Sequence, residues 1–203
     1  MDGDDKERGL LFVISGPAGA GKDAALKRLR RQMPDLYFVV TATTRPKRRN
    51  EAEGKDYFFV SPEAFQEMIK QGELLEYAIV HSEHYYGVPK TQVRQVLAEG
   101  RDAIMRIDVQ GAATIRSLAP QTVFVFLRPN TIKDLERRLR NRRTEDPTQL
   151  AVRLANAPKE MGEMEKFDYT VTNRDGHLKD AVEDIAAIIR AERCRTKRRQ
   201  IIL

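Results

Sequence analysis

Cysteine is almost absent from this sequence, and its absence excludes a disulfide framework. Cys194 is the only cysteine among the 203 residues, so no disulfide can form within the chain, and this usage suits a reducing compartment. The histidines, His81, His84 and His177, have no cysteine beside them, so a zinc site is not expected. The fold must therefore rest on a packed core, and the length suits a single domain with a sizeable one.

Long apolar runs are also missing. No stretch approaches the ~20 consecutive apolar residues that a membrane-spanning helix needs. The first residues, 1–8, are charged rather than apolar, unlike a secretory signal. We therefore expect a soluble, cytoplasmic protein with no membrane partner.

The charge is weighted toward one sign, with 36 lysines and arginines, 30 acidic residues and a net charge of +6. This surplus fits nucleic acid as a partner and equally fits a pocket for phosphorylated nucleotides. The densest basic segments are residues 45–49, 137–143 and 190–199. The first two lie beside other motif residues, which favours the binding of nucleotides over the binding of nucleic acid. For the third, a solvated helix end is the default interpretation.

A glycine-rich segment at residues 16–23 follows an apolar run at residues 10–14 and precedes a helical stretch. It fits the phosphate-loop pattern of Gly, four residues and Gly-Lys, in which backbone N–H groups surround phosphate oxygens at a positive helix end. A plain glycine turn is the alternative, which the spacing of the lysine disfavours. The residues predicted to bind a nucleotide are Gly16, Pro17, Ala18, Gly19, Ala20, Gly21, Lys22 and Asp23.

The last two residues of this loop carry charges. Lys22 would reach the outer phosphates as a point charge. Asp23 stands where the pattern normally has Ser or Thr, whose hydroxyl binds magnesium. Because a carboxylate also binds Mg²⁺, directly or through water, Asp23 is a candidate metal ligand.

Strands and helices alternate along most of the chain. Apolar runs predict strands near residues 10–14, 36–40, 102–108, 122–127 and 169–172, separated by helical patterns. This alternation predicts an α/β fold with a doubly wound parallel sheet, in which ligands bind at the carboxyl ends of the strands. The middle section, about residues 41–89, predicts a small β-rich insertion. Pro158 predicts an interruption or a kink in the helix at residues 148–166.

Three features far apart in the sequence follow predicted strands: the phosphate loop, Thr41 and Asp108. We expect them to converge on one crevice. The carboxylate of Asp108 needs a partner beside a buried strand, which Mg²⁺ or a nucleotide base would supply. A helix cap for the following helix is an equally good interpretation.

The β-rich section carries groups suited to a phosphorylated guanine nucleoside. Arg45 and Arg48 with Tyr57 suit a phosphate monoester, although a basic surface loop would look the same. Glu76 lies in an otherwise apolar strand, and Tyr86 follows ten residues later. A carboxylate accepts both the N1 and the 2-amino protons of guanine, which adenine lacks. A lone glutamate, however, is more often a solvent-facing strand residue.

A basic helix is predicted around residues 137–143. Arg138 and Arg142 are four residues apart and share one helical face. Such a helix could lie on a nucleic-acid backbone, or close over a triphosphate as a lid and stabilise the moving phosphoryl group. Pro147 nearby favours the lid, and composition alone leaves both open.

Together, these motifs resemble the guanylate kinase family from residue 10 to about residue 193. The matches follow the family's order: the phosphate loop, Thr-Thr-Arg-Pro at 43–46, Gly-Lys-Asp-Tyr-Phe-Phe-Val at 54–60, Glu76, Tyr-Tyr-Gly at 85–87, Asp-Val-Gln-Gly at 108–111, Arg-Leu at 138–139 and Asn173. The resemblance implies an enzyme that transfers the γ-phosphoryl group of ATP to GMP, and to dGMP, with Mg²⁺ as the ion that accompanies ATP.

The resemblance also implies an organisation and a set of roles. A P-loop NTPase-type domain would cover residues 9–198, with a GMP-binding lobe at about 41–89, an arginine-rich lid at about 138–153, and tails at 1–8 and 199–203. Asn173 would lie near adenine, while Asp23 and Asp108 stay candidate metal ligands on the residue arguments given above. The residues implied to bind GMP are Thr41, Arg45, Arg48, Tyr57, Glu76, Tyr86 and Asp108. Those implied in phosphoryl transfer are Lys22, Arg48, Arg138, Arg142 and Arg153.

Four positions depart from the usual family pattern: Asp23, Ala24, Val88 and Arg106. The first two replace hydroxyl residues, Val88 removes a hydroxyl near the guanine, and Arg106 replaces an aspartate close to the metal. Two other functions stay open: a phosphokinase acting on ribose 1,5-bisphosphate, and a catalytically silent guanylate-kinase-like module that binds proteins. Glu76 disfavours the first, and the intact phosphate loop disfavours the second.

Overall fold

The computed structural model describes residues 8–49, 51–80, 84–140 and 147–203. Its strands are β1 (Leu11–Ser15), β2 (Tyr37–Phe38), β3 (Thr41–Thr43), β4 (Tyr57–Phe59), β5 (Leu74–Val80), β6 (His84–Pro89), β7 (Ala103–Arg106), β8 (Val123–Pro129) and β9 (Tyr169–Asn173). Its helices are α1 (Lys22–Gln32), α2 (Pro62–Lys70), α3 (Lys90–Ala98), α4 (Val109–Leu118), α5 (Ile132–Arg140), α6 (Pro147–Gly162) and α7 (Leu178–Arg193), with a 3₁₀ turn at Glu163–Lys166.

The larger sheet has five parallel strands in the order β2-β7-β1-β8-β9. Strand β1 lies at its centre and is completely buried. Phe12 and Ile14 pack against α1 and α7 on one face, while Leu11 and Val13 pack against α3 and α4 on the other. The sheet is therefore covered on both sides, which confirms the predicted doubly wound α/β fold.

The smaller sheet is built from residues between β2 and α3. Its order is β4-β3-β6-β5, with β3 parallel to β4 and antiparallel to β6. Helix α2 buries Phe65 against this sheet, and the Oγ of Ser61 accepts a hydrogen bond from the Ala64 N–H at 3.1 Å. Ser61 is thus the N-cap residue of α2.

The structure tests the predictions for Pro158 and Asp108. Helix α6 continues through Pro158, so the helix is not interrupted there, and the alternative of a kink stays a prediction. Asp108 is exposed and caps α4, with its Oδ1 accepting a hydrogen bond from the Gly111 N–H at 2.7 Å. Of the interpretations offered for Asp108, the structure bears out the helix cap, because solvent and this N–H satisfy the carboxylate.

None of the described helices combines the length and the apolar character that a membrane span requires.

The segment after α7 packs on the core. Arg199 donates from Nε to Glu192 at 3.0 Å and also pairs with Asp168, while Ile201 is only 3% exposed. The hydroxyl of Tyr169 donates a further hydrogen bond to Glu192 at 2.6 Å. The interpretation of residues 190–199 as a solvated helix end is therefore wrong for Arg199, and Ile201, in the predicted tail at 199–203, is buried.

Replacing Arg199 by alanine should lower the stability of the fold. The Glu192 side chain is 0% exposed, and removing one partner of a buried charge is strongly destabilising. We expect a loss on the order of 3 kcal/mol in the free energy of unfolding, measured by urea denaturation. Lys197→Ala, an exposed neighbour, is the control and should change little. Equal stability of both variants would contradict the prediction.

Candidate active site

A cavity of about 200 Å³ lies where the two sheets meet. On the side of the larger sheet it is bordered by the start of α1 and the end of β7. On the other side it is bordered by strands β3 to β6 of the smaller sheet. The lining residues are Lys22, Thr41, Tyr57, Glu76, Ala78, Tyr86, Arg106, Ile107 and Asp108. Lys22, predicted to bind ATP, and Glu76, predicted to bind GMP, therefore line the same cavity.

Glu76 occupies the acidic end of this cavity. The side chain is 9% exposed, and burial together with the negative charge of Asp108 raises its pKa to about 7. Pairing between β5 and β6 shifts register between Leu74 and Tyr77. An irregularity of this kind re-aims side chains, and here residues 74–76 are all buried in succession.

Gly111 makes room for that carboxylate. A Cβ atom at residue 111 would lie 2.9 Å from Oε2 of Glu76, closer than carbon and oxygen approach without a shift. The glycine sits in the first turn of α4, whose N-terminus is capped by Asp108. The motif Asp-Val-Gln-Gly thus combines a helix cap with the space that Glu76 occupies.

Tyr57 and Tyr86 form another wall of the cavity, and Arg45, which is not among the lining residues, contacts this wall. The Nε of Arg45 donates to the hydroxyl of Tyr86 at 3.2 Å, and its Nη2 pairs with Glu51 at 2.7 Å. Tyr57 lies edge-on to Tyr86, with 5.9 Å between ring centroids, and burial raises the pKa of Tyr57. These two hydroxyls and one guanidinium form a group suited to phosphate oxygens. The side chain of Arg48 is exposed and does not line this cavity.

The phosphate loop is held by contacts to its own carbonyls and to neighbouring elements. Nζ of Lys22 donates to the carbonyl of Gly16 at 2.5 Å. The amide of Asn173 donates to the carbonyl of Ala20 at 2.8 Å. At Gly21, where φ is 96°, a Cβ atom would lie 2.4 Å from that amide. A side chain is therefore excluded at residue 21, and the loop can turn directly into α1.

Known proteins are similar to this chain along most of its length. A family model described as guanylate kinase matches residues 8–192. The chain belongs to the guanylate kinase family. It is 46% identical over 193 residues to "Guanylate kinase 2, chloroplastic/mitochondrial" of Oryza sativa subsp. japonica, a match that covers 95% of this chain and 67% of that protein. With the guanylate kinase of Thermotoga maritima it shares 42% identity over 193 residues, covering 95% and 92%.

A solved structure of this family has the same fold. The crystal structure of guanylate kinase from Anaplasma phagocytophilum aligns with a TM-score of 0.73 and 29% identity, covering 93% of this chain and 88% of that one. The sequence-based prediction of the guanylate kinase family is therefore confirmed.

The predicted lid lies partly outside the described residues, and Arg142 is among those not described. Arg138, on α5, donates from Nε to Asp175 at 2.8 Å and from Nη2 to the carbonyl of Asn173 at 2.8 Å. It also donates to the carbonyl of Ala20 at 3.3 Å, so its guanidinium already touches the phosphate loop. Arg153 is half-buried on α6. Its predicted role at the transferred phosphoryl group stays a prediction.

A carboxylate of α6 also reaches the loop. Oε2 of Glu160 accepts a hydrogen bond from the Ala18 N–H at 3.1 Å. The methyl group of Ala18 packs against an apolar cluster of α5 and α6 that includes Leu135 and Leu139. The helices that flank the predicted lid therefore rest directly on the phosphate loop.

The carboxylates near the loop fit a magnesium ion that is held mostly by phosphates and water. Asp23 forms an ion pair with Arg106, and Asp108 caps α4. Among the described residues, no three His, Cys, Asp or Glu side chains are grouped as a metal cage. Mg²⁺ in kinases usually takes only one or two carboxylates, with nucleotide phosphates and waters completing its shell. Each carboxylate here keeps acceptor capacity beyond its present partner.

The structure adds residues to which sequence reasoning gave no role. Glu51 pairs with Arg45, and Gly111 leaves space for Glu76. Glu51 belongs to a polar loop without periodicity, so no pattern pointed to it. Gly111 was part of a recognised motif, but its contact joins two sheets and is not visible in a linear pattern.

Proposed function

We propose that this chain transfers the γ-phosphoryl group of ATP to the phosphate of GMP or dGMP. One observation carries the proposal: the small cavity joins Lys22 of the phosphate loop to Glu76, Tyr57 and Tyr86 of the smaller sheet. A donor phosphate at the loop and an acceptor phosphate at the tyrosines would then share one space. A protein that only binds nucleic acid or a protein partner has no need of this junction.

Base recognition in the proposal rests on Glu76, with Asp108 beside it. When ionised, the Glu76 carboxylate accepts hydrogen bonds from N1 and the 2-amino group of guanine. Adenine offers neither proton at those positions. Because the carboxylate is buried, an unmatched base would leave it without those partners, a cost that discriminates strongly. Ribose 1,5-bisphosphate has no base for it to hold.

Phosphoryl transfer in the proposal depends on positioning and charge. Thr41, Arg45, Arg48, Tyr57 and Tyr86 hold GMP. The loop residues with Asn173 hold ATP, and Lys22, Arg138, Arg142 and Arg153 surround the transferred group. Asp23 and Asp108 are the residues that would hold Mg²⁺, which would reduce the repulsion between the phosphates. No general base is needed because the acceptor phosphate is already anionic, so alignment of donor and acceptor provides most of the effect.

The proposal also includes the arrangement and setting of the protein. The kinase domain covers residues 9–198, with the GMP-binding lobe at about 41–89 and the lid at about 138–153. The partners are ATP and GMP, without nucleic acid or membrane. A cytoplasmic setting agrees with a single cysteine in the chain.

An assay of ADP release tests the proposal across acceptors. GMP, dGMP, AMP, CMP, UMP and ribose 1,5-bisphosphate are offered with MgATP to the full chain. We expect GMP and dGMP to be phosphorylated with kcat/KM at least about 100-fold above AMP, as for a site built to bond polar groups of its substrate. Preferred use of ribose 1,5-bisphosphate would replace the proposal by the sugar phosphokinase. No turnover with any acceptor would favour the silent module.

A further inference from the structure

Two of the departures from the usual family pattern, Asp23 and Arg106, contact each other. Asp23 lies in the first turn of α1, directly after Lys22, and Arg106 ends β7. Their side chains form an ion pair. The register of the larger sheet allows it, because Arg106 lies opposite Ile14 at the end of β1 that leads into the phosphate loop. The two departures therefore belong to one arrangement.

Stability alone does not explain this pair. The side chains of Asp23 and Arg106 are 61% and 33% exposed, and ion pairs near the surface contribute only about 0–1 kcal/mol. Its place in the molecule is more informative. Arg106 lines the small cavity together with Lys22, and it also lines a larger neighbouring cavity of about 600 Å³ that contains Asp23. Arg106 is thus a lining residue of both cavities.

The other side of the guanidinium faces the tyrosines. Nη2 of Arg106 lies 3.4 Å from the hydroxyl of Tyr57, just as Nε of Arg45 lies 3.2 Å from the hydroxyl of Tyr86. Each tyrosine hydroxyl therefore has its own arginine. A hydroxyl that accepts from a guanidinium keeps its proton for another acceptor, and a guanidinium fork matches phosphate oxygens in charge and geometry.

We propose that Arg106 binds the phosphate of the acceptor nucleotide and that Asp23 is the positioning residue that aims its guanidinium. This rests on the proposed function, which brings an acceptor phosphate to Tyr57 and Tyr86. Arg106 contacts both Tyr57 and Asp23, the residue after Lys22, so in this proposal it stands between the acceptor phosphate and the outer phosphate of the donor. A fixed cation there reduces the repulsion between two anions that must approach closely.

Calorimetric titration with GMP and with guanosine tests the phosphate contact. Arg106→Gln should weaken GMP binding about tenfold or more, the change expected for a lost charge-assisted hydrogen bond. Guanosine lacks the phosphate, so its affinity should stay within about twofold. Lys27→Gln is the matched control, since Lys27 is exposed on α1 and lines only the larger cavity. It should bind both ligands as the parent chain does.

A second set of variants tests the role of Asp23. Asp23→Asn should weaken GMP binding by several-fold, and the double variant Asp23→Asn/Arg106→Gln should be no weaker than Arg106→Gln alone, because Asp23 acts through the arginine. Arg106→Lys keeps the charge without the fork and should bind GMP with intermediate affinity. It also replaces the glutamine variant if that one does not fold.

Several outcomes would overturn the inference. Unchanged GMP affinity in Arg106→Gln, or an equal loss for guanosine and GMP, would remove Arg106 from the phosphate site. Additive effects of the two substitutions would remove the positioning role. If Asp23→Asn weakened MgATP binding alone, Asp23 would act as the metal ligand predicted from the sequence. Failure of the proposed function is distinct: the parent chain would release no ADP with GMP.

Discussion

Lys22→Ala should lower kcat for GMP phosphorylation by a factor on the order of 1,000, a size typical of removing one preorganised group that stabilises transition-state charge. The ammonium of Lys22 rests on the carbonyls of Gly16 and Pro17, at the mouth of the loop and in the small cavity. This position is at the loop that we propose binds the phosphates of ATP. Steady-state kinetics with MgATP and GMP measure the loss.

Binding measurements separate this effect from unfolding. Calorimetry should show weaker ATP binding by Lys22→Ala both with and without Mg²⁺, because the contact is to phosphate and not to the metal. The control is Lys27→Ala, an exposed lysine of the same helix, which should retain parent kinetics. A folded Lys22→Ala variant with kcat near that of the parent chain would contradict the assignment of the loop.

Glu76→Gln should remove most of the preference for GMP over AMP. The glutamine amide offers one acceptor oxygen and an NH₂ group, and that NH₂ opposes a guanine N–H donor. We expect kcat/KM for GMP to fall about 100-fold or more while AMP changes little, because a site with buried polar groups penalises an unmatched donor. Ratios of kcat/KM for the two nucleotides measure it. Unchanged selectivity in the folded variant would place guanine recognition elsewhere.

The same residue predicts a pH dependence with a definite sign. Burial and the Asp108 charge raise the pKa of Glu76 to about 7, so below this pH the free carboxyl holds a proton and cannot accept two bonds from guanine. GMP affinity should fall by up to about tenfold per unit as the pH drops below 7. Arg106 and Lys22 also line the cavity, but arginine and lysine ordinarily stay charged in this range. In Glu76→Gln, only the titration of the GMP phosphate itself should remain.

Stability should change in the opposite direction from binding. Since the folded pKa of Glu76 lies above the unfolded value of 4.5, the folded state binds more protons between them, and stability falls as the pH rises from about 4.5 through about 7. The difference corresponds to a cost on the order of 3 kcal/mol above pH 7. Glu76→Gln should therefore unfold at a higher temperature than the parent chain at pH 8 and show little gain at pH 5.

Local signals in the sequence were sufficient to predict most elements of the fold. The apolar run at residues 10–14 predicted a strand, and these residues contribute to β1, the buried central strand. Local signals failed where distant segments decide the outcome. Arg199 was interpreted as part of a solvated helix end, but it pairs with the buried Glu192. Ile201 was predicted to lie in a tail, but it packs in the core cluster that contains Leu11 and Val13. Pro158 lies inside α6, although proline is generally disfavoured in helix interiors. Such local preferences can be overridden by tertiary context.

The candidate site could be predicted only in part. Residue types and order pointed to Lys22, Glu76 and Tyr86, and the structure brings these three to one cavity. Asp23 and Arg106 appeared in the sequence as separate departures from a pattern. Their pairing depends on the order of strands in the sheet, which sets β7 beside β1. Linear spacing holds no information on such a contact.

The position of β1 in the larger sheet has a consequence for how the chain folds. This strand is synthesised before its partners β7 and β8, which begin at Ala103 and Val123. At ordinary synthesis rates it waits on the order of ten seconds, apolar and with both edges open. All strands of the smaller sheet precede β7 in the chain, so their pairing requires no segment that is synthesised later. We therefore expect the exposed edges of the central strand to be the main aggregation risk during synthesis.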